Sequence, residues 1–399
     1  MLKGFKYRLY PTDDQKELLD KHFGCTRFIY NLALETRINA YHNKVSISRY
    51  DLQKQVVDLK EDCSWLKEVN SQSLQGSLLN LDNAYKRFFQ TKKGFPRFKK
   101  KSNKNTFSVP QSVVINNDQL FIPKFNDGIK MIVDRKHKGV IKSSTVSKTI
   151  TGKYFVSILC ETGDVIPEKR PIKTETMIGI DLGIKSFLAF SDGRTISNPK
   201  FFKNSFGMLK YLQRKLSKQI KRSNRYNKTK QRLVLHYETI TNQRQDFLHK
   251  LSTEITNQYD TICIEDLNVK GMMKNHKLAQ SIMDVSWSEF VRMITYKSLW
   301  KGKNVVTIPR FYPSSKTCHV CGYINKQLTL NDREWTCPDC HTHHDRDENA
   351  AINIKNWLVE YQLLNVEAGS VDDRSSHDEP KKHLVYETLK VPTVLALSA

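Results

Sequence analysis

Acidic residues are missing from two long stretches of this 399-residue chain. Between Asn83 and Asn117 there are nine Lys or Arg and no Asp or Glu; between Gly193 and Tyr237 there are thirteen and again none. Over the whole chain 65 Lys and Arg stand against 41 Asp and Glu, a formal net charge of +24 whose self-repulsion favours a polyanionic partner. Charge kept only for solubility has no need to cluster. In TKKGFPRFKKKSNKN it is interleaved with Phe95, Pro96 and Phe98, and rings set among cations suit stacking on unpaired bases. Nucleic acid is the expected partner.

Other absences narrow the class further. No stretch approaches the roughly 18 uninterrupted apolar residues of a membrane span, and the opening MLKGFKYRLYPTDDQ has no apolar run of the signal-peptide kind. A cytoplasmic protein is expected. Neither a P-loop nor GxGxxG occurs, which argues against a nucleoside-triphosphate enzyme, and no internal repeat is visible.

What is present falls into segments. KGFKYRLYPT reads as a strand, and Pro11, Thr12 and the acids after them open a helix. Helical spacing persists to about Phe89, with Leu18, Leu19, Phe23, Phe28, Ile29, Leu32 and Leu34, then Leu74, Leu78, Leu81, Tyr85, Phe88 and Phe89, as core stripes. Residues 106–165 switch to short β-branched runs separated by Asn, Asp and Gly, a small β-domain expected to close as a barrel with the N-terminal strand. VIPEKRPIKTET is a linker, and from about Thr176 the order is strand, strand, helix, strand, helix, strand. Beyond residue 360 the pattern dissolves, and residues 363–399 are expected to be a mobile tail.

Four of the eight cysteines, Cys318, Cys321, Cys337 and Cys340, form C-x2-C-x15-C-x2-C, the spacing of a structural zinc ribbon. Two CxxC turns offer four soft sulfurs and close a tetrahedral site without an open position. Disulfides are disfavoured in a reducing compartment. Cys160 and Cys263 lie in apolar strand runs and read as buried thiols. His341, His343 and His344 are expected to be exposed loop residues.

Three acids stand where a metal site would use them. Asp181 ends the run MIGI, with Gly183 leaving room for close approach, and Glu265 ends TICI. A carboxylate flanked by apolar strand residues is poorly solvated unless something positive sits on it. If a helix runs from about 346 to 358, Asp347 shares a face with Ala350, Ala351, Ile354 and Leu358, and the small alanines let that face press on a sheet. Asp345 and Glu348 fit a capping-box start instead. Together Asp181, Glu265 and Asp347 could bind two Mg or Mn ions, about 3.5 to 4 Å apart, for phosphodiester hydrolysis.

The blocks IGIDLGIKSF, CIEDLNVKGM, YPSSKTCHVCG and CPDCHTHHDRDENAAINI, with KGFKYRLYPTDDQ, RFIYN, NAYKRFF and KGFPRFKKK, resemble the TnpB (OrfB) proteins of insertion sequences, relatives of miniature type V CRISPR effectors. The resemblance covers roughly residues 1 to 360. It implies an α+β multidomain chain: a helical N-terminal lobe and small β-barrel, then a ribonuclease H-like (RuvC-like) α/β nuclease domain with an inserted zinc ribbon. The implied layout is a first wedge strand at 1–11, a helical recognition domain at 12–95 and the β-barrel (wedge) at 96–170. The nuclease domain follows at 171–313, the zinc-ribbon insert at 314–343 and the last nuclease helix at 344–362. Implied partners are a guide RNA from the element's end and double-stranded target DNA; implied catalytic acids are Asp181, Glu265 and Asp347. Two other classes remain open, a non-cutting RNA-guided DNA-binding regulator and a DNA-strand-joining transposase.

Overall fold

The computed structural model describes residues 1–92, 94–101, 105–329 and 331–369, with side chains described as far as residue 362. Contacts divide it into Met1–Val165 and the chain from Ile166 onward, a boundary inside the proline-containing linker. Among the described residues no helix is long and apolar enough to cross a membrane.

In the first unit, strand β1 (Leu2–Leu9) leads into helices α1 (Asp13–His42), α2 (Arg49–Asp62) and α3 (Ser71–Thr91). Thr12 starts α1 through a reciprocal cap: the Gln15 N–H donates to Thr12 Oγ1 at 3.3 Å and the Thr12 N–H to Gln15 Oε1 at 3.1 Å. Ile29, Ala33 and Leu34 of α1 pack with Leu52 and Val56 of α2 and Leu74, Leu78 and Leu81 of α3. The expected stripes are too wide at two points. Phe28 and Phe89 are 37% and 65% exposed, since each follows or precedes an inward residue by one position and is turned about 100° from it.

Strands β2 (Asn105–Val109), β3 (Val114–Asn116), β4 (Gln119–Ile122), β5 (Phe125–Ile132), β6 (Val140–Lys148) and β7 (Tyr154–Glu161) complete this unit. The sheet order is β2-β6-β7-β1-β5-β4-β3, so β1 is inserted centrally, antiparallel to both β7 and β5. Alternation in β7 buries Tyr154, Val156, Ile158 and Cys160 on one face against Leu19 and Phe23 of α1. The ladder has free ends at β2 and β3, so among the described residues the hydrogen-bonded closure expected of a barrel is missing.

The second unit holds β8 (Met177–Leu182), β9 (Ser186–Phe190), β10 (Thr195–Ser197), α4 (Phe201–Ser217), α5 (Asn224–Gln258), β11 (Thr261–Glu265), α6 (Val269–Met272), α7 (His276–Val285), α8 (Trp287–Trp300) and β12 (Asn304–Ile308). A two-stranded hairpin, β13 (Glu334–Thr336) and β14 (His343–Asp345), precedes α9 (Arg346–Gly369). The five-stranded sheet runs β10-β9-β8-β11-β12, with β11 parallel to both β8 and β12 and the other pairs antiparallel. β10 was not legible as a strand, and α9 extends past the expected end at 362; residues 370–399, most of the expected tail, lie outside the described residues.

The two faces of this sheet are covered differently. Ile178, Ile180, Leu182, Ile262 and Ile264 point to one side and bury against Leu248, Leu251 and Ile255 of α5 and Phe290, Met293 and Ile294 of α8. Met177 and Cys263 point to the other, with Val306 and Ile308 of β12, and meet Ile354 and Leu358 of α9. Strand alternation then sends Gly179, Asp181 and Glu265 to the α9 face as well.

Candidate functional site

Register brings two of the three acids together. β8 and β11 pair in parallel through Ile180 and Ile264, so Asp181 and Glu265 follow side by side at the C-terminal ends of neighbouring strands. Helix α9 runs back along β8, and its backbone lies on Gly179: a Cβ there would stand 2.1 Å from the Ala351 carbonyl oxygen and 2.8 Å from the Lys355 nitrogen. One helical turn before Ala351 is Asp347, about 6 Å along the axis, and two strand residues beyond Gly179 is Asp181, about 6.6 Å along β8. Asp347 therefore lies level with Asp181, near enough for its charge to act on the Asp181 carboxyl. As expected, the closeness depends on buried Ala350 and Ala351. Gly183 plays a different part from the expected one: a Cβ there would meet the Ser186 carbonyl oxygen at 2.6 Å, so its small size serves the β8–β9 turn.

Electrostatics record the crowding. The Asp181 carboxyl is pushed well above its usual range by burial first, then by the neighbouring Glu265 and Asp347. Glu265 is also raised by burial, against a hydrogen bond donated by the Ser314 hydroxyl. Asp347 Oδ1 lies 3.5 Å from both Arg333 Nη1 and Arg346 Nη2. The adjacent acid Asp266 is paired with Arg310 and stands apart from this group. Asp345 caps α9 as expected, its Oδ1 accepting from the N–H groups of Asp347 at 2.9 Å and Glu348 at 3.0 Å, while the Glu348 carboxylate turns toward Gly193. Crowded hard-oxygen donors that resist ionising together are a donor set suited to divalent cations of the Mg or Mn kind.

The cysteines converge more tightly. Cys318, Cys321, Cys337 and Cys340 are the group, among the described residues, whose donor atoms all lie within 4.8 Å of one another. Sulfur separations of 3.6 Å for Cys318–Cys340 and for Cys321–Cys337 match the roughly 3.8 Å edge of a tetrahedron with Zn–S bonds of about 2.3 Å. These residues can hold a zinc ion. Leu328 and Trp335 form a small core beside them.

One expectation fails here. His341 and His343 are exposed, but His344 is 3% exposed, packed against Trp335 and His319, with Nε2 3.1 Å from Cys318 Sγ. Its position on β14 opposite Trp335 turns it inward. Cys160 and Cys263 are buried strand thiols, the latter pushed up to about 12 by burial.

Sequence reading also missed Ser314, Asn349 and Asn353. The asparagines, one turn apart on α9, are 1% and 3% exposed and bind the segment before the first cysteine. Polar residues at i and i+4 beside an apolar stripe were the available signal.

All thirteen cations of the second acid-free stretch are exposed: Arg194 in the β9–β10 turn, where it pairs with Asp192, and the other twelve on α4, α5 and their flanks. In the first stretch Phe95 and Phe98 are 46% and 50% exposed, but Lys99 is half-buried with Nζ 4.0 Å from the Tyr30 ring centre, so it serves packing. Lys93 and Lys104 lie outside the described residues.

Comparison with known proteins decides the family. A protein of Streptomyces pristinaespiralis named "Putative RNA-guided DNA endonuclease" is 39% identical over 359 residues, covering 88% of each chain. The chain belongs to the TnpB (OrfB) family. "Putative RNA-guided DNA endonuclease InsQ" of Escherichia coli K12 is 34% identical, over 88% of this chain and 91% of its own. Residues 157–276 match the OrfB_IS605 family, described as "Probable transposase", and residues 287–354 the "Cas12f1-like, TNB domain". Residues 1–44 match a family described as "Helix-turn-helix domain", although in this TnpB relative they form one strand and one helix. Among solved structures, the Cas12f1 chain of a "Cas12f1-sgRNA-target DNA complex" aligns with a TM-score of 0.54 at 14% identity, over 89% of this chain and 99% of that one. At that identity the likeness is one of fold.

Proposed function

We propose that this TnpB-family chain is an RNA-guided DNA endonuclease that hydrolyses phosphodiester bonds of target DNA, with Asp181, Glu265 and Asp347 as the metal ligands. The observation that carries the reading is the side-by-side placement of Asp181 and Glu265 at parallel strand ends, under the first turn of the helix bearing Asp347. The strand order β10-β9-β8-β11-β12, three antiparallel strands followed by two parallel ones, supports a ribonuclease H-like (RuvC-like) domain over residues 171–313 and 344–362, interrupted by the ribbon at 314–343. The segments at 1–11 and 96–170 are then the wedge and 12–95 the recognition lobe. Relatives named as RNA-guided DNA endonucleases support a guide RNA and target DNA as partners, and we read that DNA as double-stranded.

When bound, two divalent ions of the Mg or Mn kind would activate water and stabilise the leaving oxygen. The chain's own part is to bring the three carboxylates to one end of the sheet and keep them there. Asp181 and Glu265 are fixed by strand register and Asp347 by the helix laid on Gly179. Exposed cations on α4 and α5 offer a surface to phosphates without entering the carboxylate group.

The test is cleavage of plasmid DNA by protein co-purified with its RNA, the RNA then being sequenced. Asp181→Ala, Glu265→Ala or Asp347→Ala is expected to lower the cleavage rate at least about 1000-fold, with RNA and DNA retention unchanged. Full cleavage by any of the three removes that residue from the site. The "Probable transposase" description of the matched family favours one other reading, strand joining by the same carboxylates; joined products from element-end DNA would establish it.

A further inference from the structure

Three polar side chains, Ser314, Asn349 and Asn353, are buried beside the carboxylates without being candidate metal ligands. Ser314 is 4% exposed and donates its hydroxyl to Glu265. Its own backbone is held from α9. Asn353 Nδ2 donates to the Ser314 carbonyl at 2.8 Å and to the Thr317 carbonyl at 2.6 Å, and Asn349 Nδ2 donates to the Thr317 carbonyl at 2.7 Å. Asn349 Oδ1 accepts the His319 N–H at 3.1 Å and lies 2.9 Å from His319 Nδ1. Asn349 and Asn353 sit two and six positions after Asp347 on the same helix.

We infer that Ser314 is a positioning residue for Glu265, and that Asn349 and Asn353 hold it in place, so that the helix carrying Asp347 also sets the orientation of a second carboxylate. A glutamate has three side-chain torsions, and one at a strand end with no partner would sample several rotamers. Ser314 selects one. Burial makes the selection firm, because a displaced hydroxyl or amide at this depth would lose its partner without gaining water. A hydroxyl needing only any acceptor could have used a backbone carbonyl, as Thr317 does with Pro313 at 2.9 Å; Ser314 instead uses the Glu265 carboxylate. The segment that follows β12 meets Glu265 at Ser314 and reaches the first cysteine at Cys318, so the two asparagines hold it between the carboxylates and the sulfurs.

The inference rests on the metal-ligand reading of Glu265, and the experiment separates the two. Manganese binding to the full-length, zinc-loaded protein is measured by titration calorimetry and by loss of the free Mn(II) resonance signal, without nucleic acid or turnover. Ser314→Ala is expected to raise the half-saturating manganese concentration about tenfold. Ser314→Thr, which keeps the hydroxyl, is expected to return it to within about twofold, and Asn353→Ala to behave like Ser314→Ala. Zinc content at one equivalent in each variant reports that the ribbon is intact. Glu265→Gln is the control. If it abolishes manganese binding while Ser314→Ala and Asn353→Ala bind as the unaltered protein does, the positioning role is overturned and the ligand role stands. If Glu265→Gln binds normally, the ligand reading falls and the positioning role with it.

Discussion

The cysteine and carboxylate groups of the second unit differ in how they are assembled. Four sulfurs gather within 4.8 Å using two CxxC turns and a short hairpin, so most of their geometry is local. The three carboxylates come from β8, β11 and α9, distant in sequence, and depend on strand register and on a helix seated on a glycine. They also resist the gathering: burial, then the neighbouring Glu265 and Asp347, push the Asp181 carboxyl well above its usual range. A ribbon of this kind is stabilised by its ion, whereas the carboxylate group is held together by the rest of the fold against its own charge.

The largest expected effect falls on the ribbon. Cys337→Ser removes a sulfur with no exposure, and structural zinc supplies on the order of 10 kcal/mol of local folding free energy. Zinc content below a tenth of an equivalent is expected, together with loss of near-ultraviolet signal from buried Trp335. Manganese binding at the carboxylates should weaken as well, since Asn349 ties the Cys318 turn to α9. Unchanged manganese affinity in zinc-free protein would break the comparison by making the two groups independent.

A smaller change sharpens it. Gly179→Ala places a methyl 2.1 Å from the Ala351 carbonyl oxygen, where the obstacle is helix backbone and cannot swing aside. A destabilisation of about 3 kcal/mol is expected in denaturant unfolding. Zinc content should stay at one equivalent while DNA cleavage falls about 100-fold, because lifting α9 by an ångström moves Asp347 and spares the cysteines. Equal loss of zinc and cleavage would mean that the ribbon, too, depends on this contact.

The same contrast explains what the sequence could disclose. C-x2-C-x15-C-x2-C is a spacing, and spacing is visible without a fold. Asp181 and Glu265 were visible as acids ending apolar runs, and Asp347 through the alanines beside it. Gly179 was not, because nothing in MIGID distinguishes a glycine crossed by a helix from one in any strand. Ser314 and His344 were equally hidden: one acts through a partner 49 positions away, and the other is turned inward by a hairpin only three residues wide on each side. The first strand does pair with the last, β1 with β7, but among the described residues β2 and β3 remain unpaired edges, and a strand pattern does not say whether two such edges meet.

The finest test concerns the charge itself. A carboxyl whose folded-state pKa lies above its unfolded value keeps its proton longer in the folded protein, so the folded state binds more protons between the two values. Stability then falls as pH rises from the ordinary carboxylate range near 4 toward the raised value for Asp181, whose chief causes are burial and Glu265. Asp181→Asn removes that loss while keeping the shape. In metal-free protein its melting temperature is expected to match that of the unaltered chain near pH 4.5 and to exceed it increasingly toward pH 8. Adding manganese at pH 8 should raise the melting temperature of the unaltered chain and leave that of the variant almost where it was. If the two curves instead run parallel across the pH range, Asp181 carries no repulsion to relieve, and the carboxylates are no more opposed to their own assembly than the sulfurs are.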